Sequence, residues 1–287
     1  YQYYHLYQFA YDGSKFHIRK PERVNYEEMV PGGWNVVPGF GGQVADGNDL
    51  LIAMSGQRPG RQRQGGVVRW RRSSGAWRAV SFDPVTGEDT STEPSMIRDL
   101  DGEFLFCARG TNASGHPMRV WKSRGHGSRW DLVIFVGGIS SSPVAIYQAA
   151  DGTPYLAANR YQYQTHIKGV PSLPYFRGPD GKPRPDGGTR ETLLLWPINE
   201  ARNAVEIPII AKDCLAELGP PPHGSIWAVD HPSAMTLQLR DGEWHNVIGY
   251  RLYEKEENTE FTAATRFTGA YLNEVFSAGK AIPMWSF

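Results

Sequence analysis

Three arginines stand at matching places in successive Asp-Gly hairpins. Arg109 lies 8 residues after Asp101, Arg160 lies 9 after Asp151, and Arg251 lies 10 after Asp241. Arg58 closes an earlier hairpin turned at Gly47-Asn48 and is a fourth candidate. Guanidiniums that converge suit the binding of a carboxylate, because each offers paired N–H donors in a fixed plane. The same spacing also allows each arginine to bridge its own repeat through a neighbouring Asp or Glu. A structure separates the two, since a shared site requires the guanidiniums to meet rather than to be spent singly. Around the arginines lie groups able to move protons. Glu93 opens one strand, Asp230 immediately precedes His231, and Tyr250 adjoins Arg251. Tyr271 sits in Thr268-Gly269-Ala270-Tyr271-Leu272-Asn273-Glu274, His116 in a loop just past Arg109, and His166 in a tyrosine-rich loop just past Arg160.

The elements that must position these side chains recur along the chain, and an internal repeat outweighs local propensity. Four times a strand leads through a turn into a second strand. The turns are Gly47-Asn48, Asp101-Gly102, Asp151-Gly152 and Asp241-Gly242, between apolar runs such as Leu50–Met54, Phe104–Ala108, Tyr155–Ala158 and Val247–Tyr250. Asp-Gly and Gly-Asn pairs accept the positive φ that tight hairpins demand. Two of the hairpins continue into a further pair: Val67–Trp70 with Arg78–Val80, and Met118–Trp121 with Leu132–Phe135. For the third repeat the outer pair is expected at Thr192–Trp196 and Val205–Ile210, followed by a short helix over Ala211–Leu218. Four antiparallel strands per unit of roughly 45–50 residues predicts an all-β fold, a β-propeller of four-stranded blades. Four full units and partial ones at the ends fit five or six blades, with N- and C-terminal strands expected to share one. Residues 1–287 read as a single domain, and the Pro/Gly-rich stretch 161–190 reads as an ordered loop insertion.

Composition narrows the function classes. Thirty basic and 30 acidic side chains give zero formal charge, without the basic footprint of a nucleic-acid or membrane-surface binder. No run of 18 apolar residues offers a membrane span. Gly and Pro account for 53 of 287 residues, above the usual share of roughly 12%, as loop-rich β proteins require. The two cysteines form no CxxC pair, and no HExxH occurs, so neither a metal nor another cofactor is expected. Asp99, Asp101 and Asp151 read as turn residues rather than calcium ligands. The chain opens at Tyr1 inside an apparent strand, from which we expect a processed or truncated N-terminus, and a secreted or periplasmic location if an export signal has been removed.

Ser123-Arg124-Gly125-His126-Gly127-Ser128-Arg129-Trp130 resembles the Asp-box of the sialidase-like propeller superfamily, Ser-x-Asp-x-Gly-x-Thr-Trp. Ser123, Gly127 and Trp130 match, whereas Gly125 and Arg129 replace the Asp and the Thr; Ser73–Trp77 looks like a shortened copy. The strand pairs around Glu93–Arg109 and His231–Arg251 are similar to that superfamily's as well. The resemblance implies a carbohydrate partner bearing a carboxylate, held by Arg109, Arg160 and Arg251. Hydrolysis of the sialidase type would add a tyrosine nucleophile, Tyr250 or Tyr271, with Glu93 or Asp230 as acid or partner. A propeller lyase would instead neutralise a uronate carboxylate and use His116, His166 or His231 as base or acid. A non-catalytic glycan-binding propeller is the third class, and the 9 Trp and 14 Tyr suit sugar stacking in all three.

Overall fold

The computed structural model describes residues 3–6, 9–11, 16–18, 22–25, 30–88, 92–109, 118–136, 143–149, 151–159, 190, 192–220, 226–238, 244–255, 266–274 and 281–285. Four four-stranded antiparallel sheets follow one another in chain order. The first is β5 (Asn35–Asp46), β6 (Asp49–Gln57), β7 (Gln64–Ser73) and β8 (Ala76–Pro84). The second is β9 (Thr92–Arg98), β10 (Phe104–Arg109), β11 (Met118–Arg124) and β12 (Arg129–Val136). The third is β13 (Ala145–Gln148), β14 (Pro154–Asn159), β15 (Thr192–Pro197) and β16 (Ile209–Asp213). The fourth is β17 (Ile226–Gln238), β18 (Trp244–Lys255), β19 (Arg266–Glu274) and β20 (Ala281–Trp285). Ahead of them β1 (Tyr3–Leu6) pairs with β4 (Glu22–Asn25), and inside that hairpin β2 (Phe9–Tyr11) pairs with β3 (Phe16–Ile18).

The first strand of each sheet is the innermost. β5, β9, β13 and β17 touch in that order, and β5 also reaches β13 and β17, so the four surround one axis. This is the arrangement of a β-propeller. Its core fills the wedges between adjacent sheets. Leu51, Val67, Met96, Phe104 and Phe106 pack between the first and second sheets, and Leu105, Val120, Ile146, Leu156 and Trp196 between the second and third. Tyr147, Leu195, Val229, Ile248 and Tyr250 pack between the third and fourth. Near the axis backbones meet directly: at Gly42, whose φ is +86°, a Cβ would stand 2.2 Å from the Met96 nitrogen. Only glycine combines that φ with that approach.

Three local expectations change. The outermost strand of the third sheet is Ile209–Asp213, not Val205–Ile210; Val205 keeps an isolated bridge to Ile198, and Pro208, lacking an N–H, cannot continue a ladder through it. The helix is correspondingly shorter, α1 (Cys214–Leu218), capped by the Asp213 carboxylate, which accepts the Ala216 N–H at 3.0 Å. Among the described residues, the N-terminal strands pair with one another and not with the fourth sheet, whose four strands are consecutive in the chain. The turn from β11 to β12 carries Gly125 and Gly127 at positive φ and has no Asp of its own. Glu103 supplies the carboxylate instead. It accepts the Ser123 hydroxyl and, at 3.2 Å, the His126 N–H, while Ser123 Oγ accepts the Phe104 N–H at 2.7 Å. No helix of the described residues is long and apolar enough to cross a membrane.

Candidate functional site

Inner strands run from one end of the propeller to the other, and the hairpin turns Gly47-Asn48, Asp101-Gly102 and Asp151-Gly152 lie at the end where they finish. The strand starts, and the ends of the second strands, lie at the opposite end. Glu93 and Arg109 meet there because Thr92 at the start of β9 pairs with Arg109 at the end of β10, after a bulge past Cys107. Arg109 Nε sits 2.6 Å from Glu93 Oε2 and donates to Thr92 Oγ1 at 3.2 Å. Glu93 has φ +53°, a left-handed conformation costly for a residue with a Cβ, and its N–H donates to Ser55 Oγ at 3.2 Å. Strain of this kind gathers where a side chain must be aimed.

The second part of the site forms on the fourth sheet. Asp230 on β17 is paired across to Arg251 on β18, just before a bulge that interrupts the register. Asp230 is fully buried, and its carboxylate accepts from Arg251 Nε at 2.8 Å and Nη2 at 2.9 Å, from the Tyr253 hydroxyl at 2.9 Å, and from Arg190 Nη1. Arg190 enters from the third sheet's side, where its carbonyl accepts the Val229 N–H. Burial opposes the charge on Arg251, but the Asp230 bonds outweigh it and raise the guanidinium's pKa. Burial, with the Asp230 charge, pushes the Tyr253 hydroxyl well above the ordinary phenol range, so it donates to Asp230 and stays protonated. Arg109 behaves differently. Burial, joined by the nearby charge of Arg190, pulls its pKa below the usual value despite the Glu93 partner.

The sequence candidates therefore land in distinct places. Arg109 with Glu93, and Arg251 with Asp230, form ion pairs each within one sheet, so each of these two arginines bridges its own repeat, the alternative that the hairpin spacing allowed; Arg190 lies between the pairs, bonded to Asp230 and electrostatically felt by Arg109. Tyr250 is 3% exposed and packs in the core between the third and fourth sheets; the tyrosine on the carboxylate is Tyr253, three residues on. Tyr271 stands opposite Tyr250 in the β18–β19 register. Arg58 does not join these pairs but lies 4.4 Å over the Trp34 ring. Arg160, His116 and His166 lie outside the described residues. Arg190 and Tyr253 had carried no hairpin spacing that marked them. Arg190 follows the long insertion, and Tyr253 sits two past Arg251, hence on the same side of the strand. Among the described residues no cluster of three or more His, Cys, Asp or Glu side chains could hold a metal ion.

No protein-family model matches the sequence, and no curated protein matches it significantly. Solved structures do. An α-L-arabinanase of Penicillium chrysogenum, complexed with arabinobiose, matches over 84% of this chain with 13% identity and a TM-score of 0.49. The chain spans 65% of that enzyme's length. The endo-arabinase of Bacteroides thetaiotaomicron matches over 85% of this chain and 80% of its own, with 10% identity and a TM-score of 0.48. An α-L-arabinofuranosidase of Fusarium graminearum matches over 89% and 69%, with 12% identity and a TM-score of 0.49. Likeness this distant says nothing of chemistry, and the fold assignment rests on the sheet topology itself.

Proposed function

We propose that the chain is a carbohydrate-active propeller of the sialidase-like kind, binding a carboxylate-bearing sugar at the arginine-bearing end and hydrolysing its glycosidic bond. The observation that carries this reading is the part-exposed guanidinium of Arg251, at the end of the propeller that also holds Arg109 and Arg190. A sugar carboxylate is an anion that its remaining donors can take. Arg251 is 37% exposed and spends Nε and Nη2 on Asp230, which leaves its remaining terminal nitrogen for a ligand. Arg109, at the same end, is 25% exposed. Asp230, which also takes Arg190 and Tyr253, holds Arg251 in one orientation. Arg160 belongs to the same reading by its hairpin position.

In this reading Glu93 is the carboxylate at the reacting bond, because it is part-exposed whereas Asp230 is not. Water adds to the anomeric carbon, the bond to the leaving oxygen breaks, and that oxygen takes a proton. The burial of Asp230 and Tyr253 favours a second reading, pure glycan binding, since it leaves one carboxylate for a reaction that normally uses two. Incubation with sialosides and uronate-containing polysaccharides separates the readings. New reducing ends, lost in Glu93→Gln, support hydrolysis. Reducing ends accompanied by the ultraviolet absorbance of an unsaturated uronate mean β-elimination and move the chemistry to His116, His166 or His231. Binding without products leaves the glycan-binding module, and absence of binding refutes the proposal.

A further inference from the structure

A pocket of about 240 Å³ lies at the same end of the propeller, on the first sheet, lined by Trp34, Arg58, Arg61, Gln64, Phe82, Pro84 and Glu88. Its walls are held from several directions. Gln57 Nε2 donates to the Arg61 carbonyl at 2.8 Å, and the Arg61 N–H donates to the Arg58 carbonyl at 3.1 Å, which fixes the loop after β6. On the other side Gln64 Nε2 donates to the Thr86 carbonyl, and the Gly65 N–H to the Thr86 hydroxyl, which ties 85–88 onto β7. The Arg58 guanidinium lies 4.4 Å above the Trp34 ring, and Trp34 in turn packs 4.6 Å from Phe82. Stacking on an aromatic face restrains a guanidinium without using its N–H donors.

Among the described residues Arg58 has no carboxylate partner, and the pair Arg61–Glu88 is long, 3.7 Å, between side chains 66% and 42% exposed. Such an exposed pair contributes little and yields readily to a better anion. Two guanidiniums therefore share one carboxylate in a preformed pocket. Its place relative to the first site is given by β6: Ser55 bonds the Glu93 N–H, and Arg58 follows three residues later, about 10 Å along an extended chain. A few linked pyranose rings cover that span.

We propose that this pocket is a second, anion-selective subsite for the same glycan, in which Arg58, seated on Trp34, and Arg61 take the acidic substituent of a sugar unit remote from the reacting bond. The inference rests on the carboxylate-sugar reading of the first site and adds to it a requirement for a polymer carrying repeated negative charge. It is tested by calorimetry with galacturonic acid, its linear tetramer, and the neutral tetramer cellotetraose, on the wild type, Arg58→Gln, Arg61→Gln and Arg109→Gln. The expected result is that the acidic tetramer binds more tightly than the monomer. Arg58→Gln weakens the tetramer about tenfold and leaves the monomer unchanged, as loss of one charge-assisted contact should. Arg61→Gln shows a smaller loss of the same pattern. Arg109→Gln weakens monomer and tetramer alike. An Arg58→Gln protein that unfolds at the wild-type temperature yet binds both acids normally overturns the subsite while leaving the first site standing. Equal losses for monomer and tetramer would place Arg58 in the first site, and equal losses for cellotetraose would remove anion selectivity; either overturns the proposal. Monomer binding indifferent to Arg109→Gln, or a wild type that binds no acidic sugar, overturns the first reading and the subsite with it.

Discussion

Asp230→Asn is the perturbation that most directly tests how the arginine-bearing end is held together. The side chain is fully buried and accepts from four donors: Arg190 Nη1, Arg251 Nε and Nη2, and the Tyr253 hydroxyl. Asparagine keeps the shape but removes the charge, and it turns an NH₂ group toward donors that need an acceptor. The two arginines do not suffer equally. Arg251 is 37% exposed and can turn toward water, whereas the Arg190 side chain is 8% exposed and cannot. Most of the cost therefore falls on Arg190, and removal of one partner from a buried pair costs about 3–5 kcal/mol. At about 2 °C per kcal/mol for a chain of this size, thermal unfolding should move down by roughly 6–10 °C. The assay is calorimetric unfolding of the wild type, Asp230→Asn, and the double variant Asp230→Asn/Arg190→Met, which removes the stranded charge and should recover part of the loss. In the same variants, affinity for an acidic sugar should fall because Arg251 loses its orientation. A loss below about 1 kcal/mol, with no recovery in the double variant, would refute the claim that Asp230 organises these guanidiniums.

At the opposite end Asp49 is held down from 3.8 to about 2, first by the Arg71 N–H donors and then by Arg69. A carboxylate whose folded pKa is depressed stabilises the fold above its unfolded pKa and loses that contribution as pH falls through the folded value. Wild-type stability should thus drop between about pH 4 and pH 2, and Asp49→Asn should flatten the curve over that window in unfolding temperatures measured from pH 6 downward. Gly42→Ala should cost at least about 3 kcal/mol in urea unfolding, since φ is +86° and the new Cβ meets the Met96 backbone at 2.2–2.3 Å. Ser123→Ala should cost about 1–3 kcal/mol in the same assay, because the buried Phe104 N–H loses its acceptor; a neutral result would show that Glu103 alone can hold the β11–β12 turn.

What the sequence made legible was whatever is encoded locally. Asp-Gly and Gly-Asn turns between apolar runs marked the inner hairpins, so the pairs β5–β6, β9–β10 and β13–β14 fall where the repeats placed them. The outer edge of the third sheet was less legible, because Val205–Ile210 alternates like a strand while Pro208 interrupts its hydrogen bonding. The turn carboxylate at β11–β12 was invisible to a linear motif, because Glu103 reaches it across the sheet from 20 residues away. Hairpin spacing marked Arg109 and Arg251 but did not name their partners, which the strand register brings in: Arg109 pairs with Thr92 next to Glu93, and Arg251 with Asp230. It could not mark Arg190, which reaches Asp230 from 40 residues away between two sheets. Nor did it separate Tyr250 from Tyr253: three residues apart on one strand, they face opposite sides, and only the packing of the third sheet decides which side is core.

The two ends of the propeller use the same residue types to different effect. At the hairpin end Arg202 grips Asp99 with two bonds of 2.9 Å, and Arg71 grips Asp49 with two of 2.8 Å. Both of these guanidiniums, with Arg69, have their pKa raised by their carboxylates. That is what ion pairs made for structure should do, since each cation gains more from its partner than it loses to burial. Arg251 follows the same pattern at the other end. Arg109 does not: buried beside Arg190, it is pushed down even with Glu93 at 2.6 Å. An additional anion at that point would favour the charged form and relieve the mismatch, whereas at the hairpin end it would have to displace carboxylates already in place. Together with the part-exposed guanidinium of Arg251, this difference is why we propose the strand-start end for a sugar carboxylate.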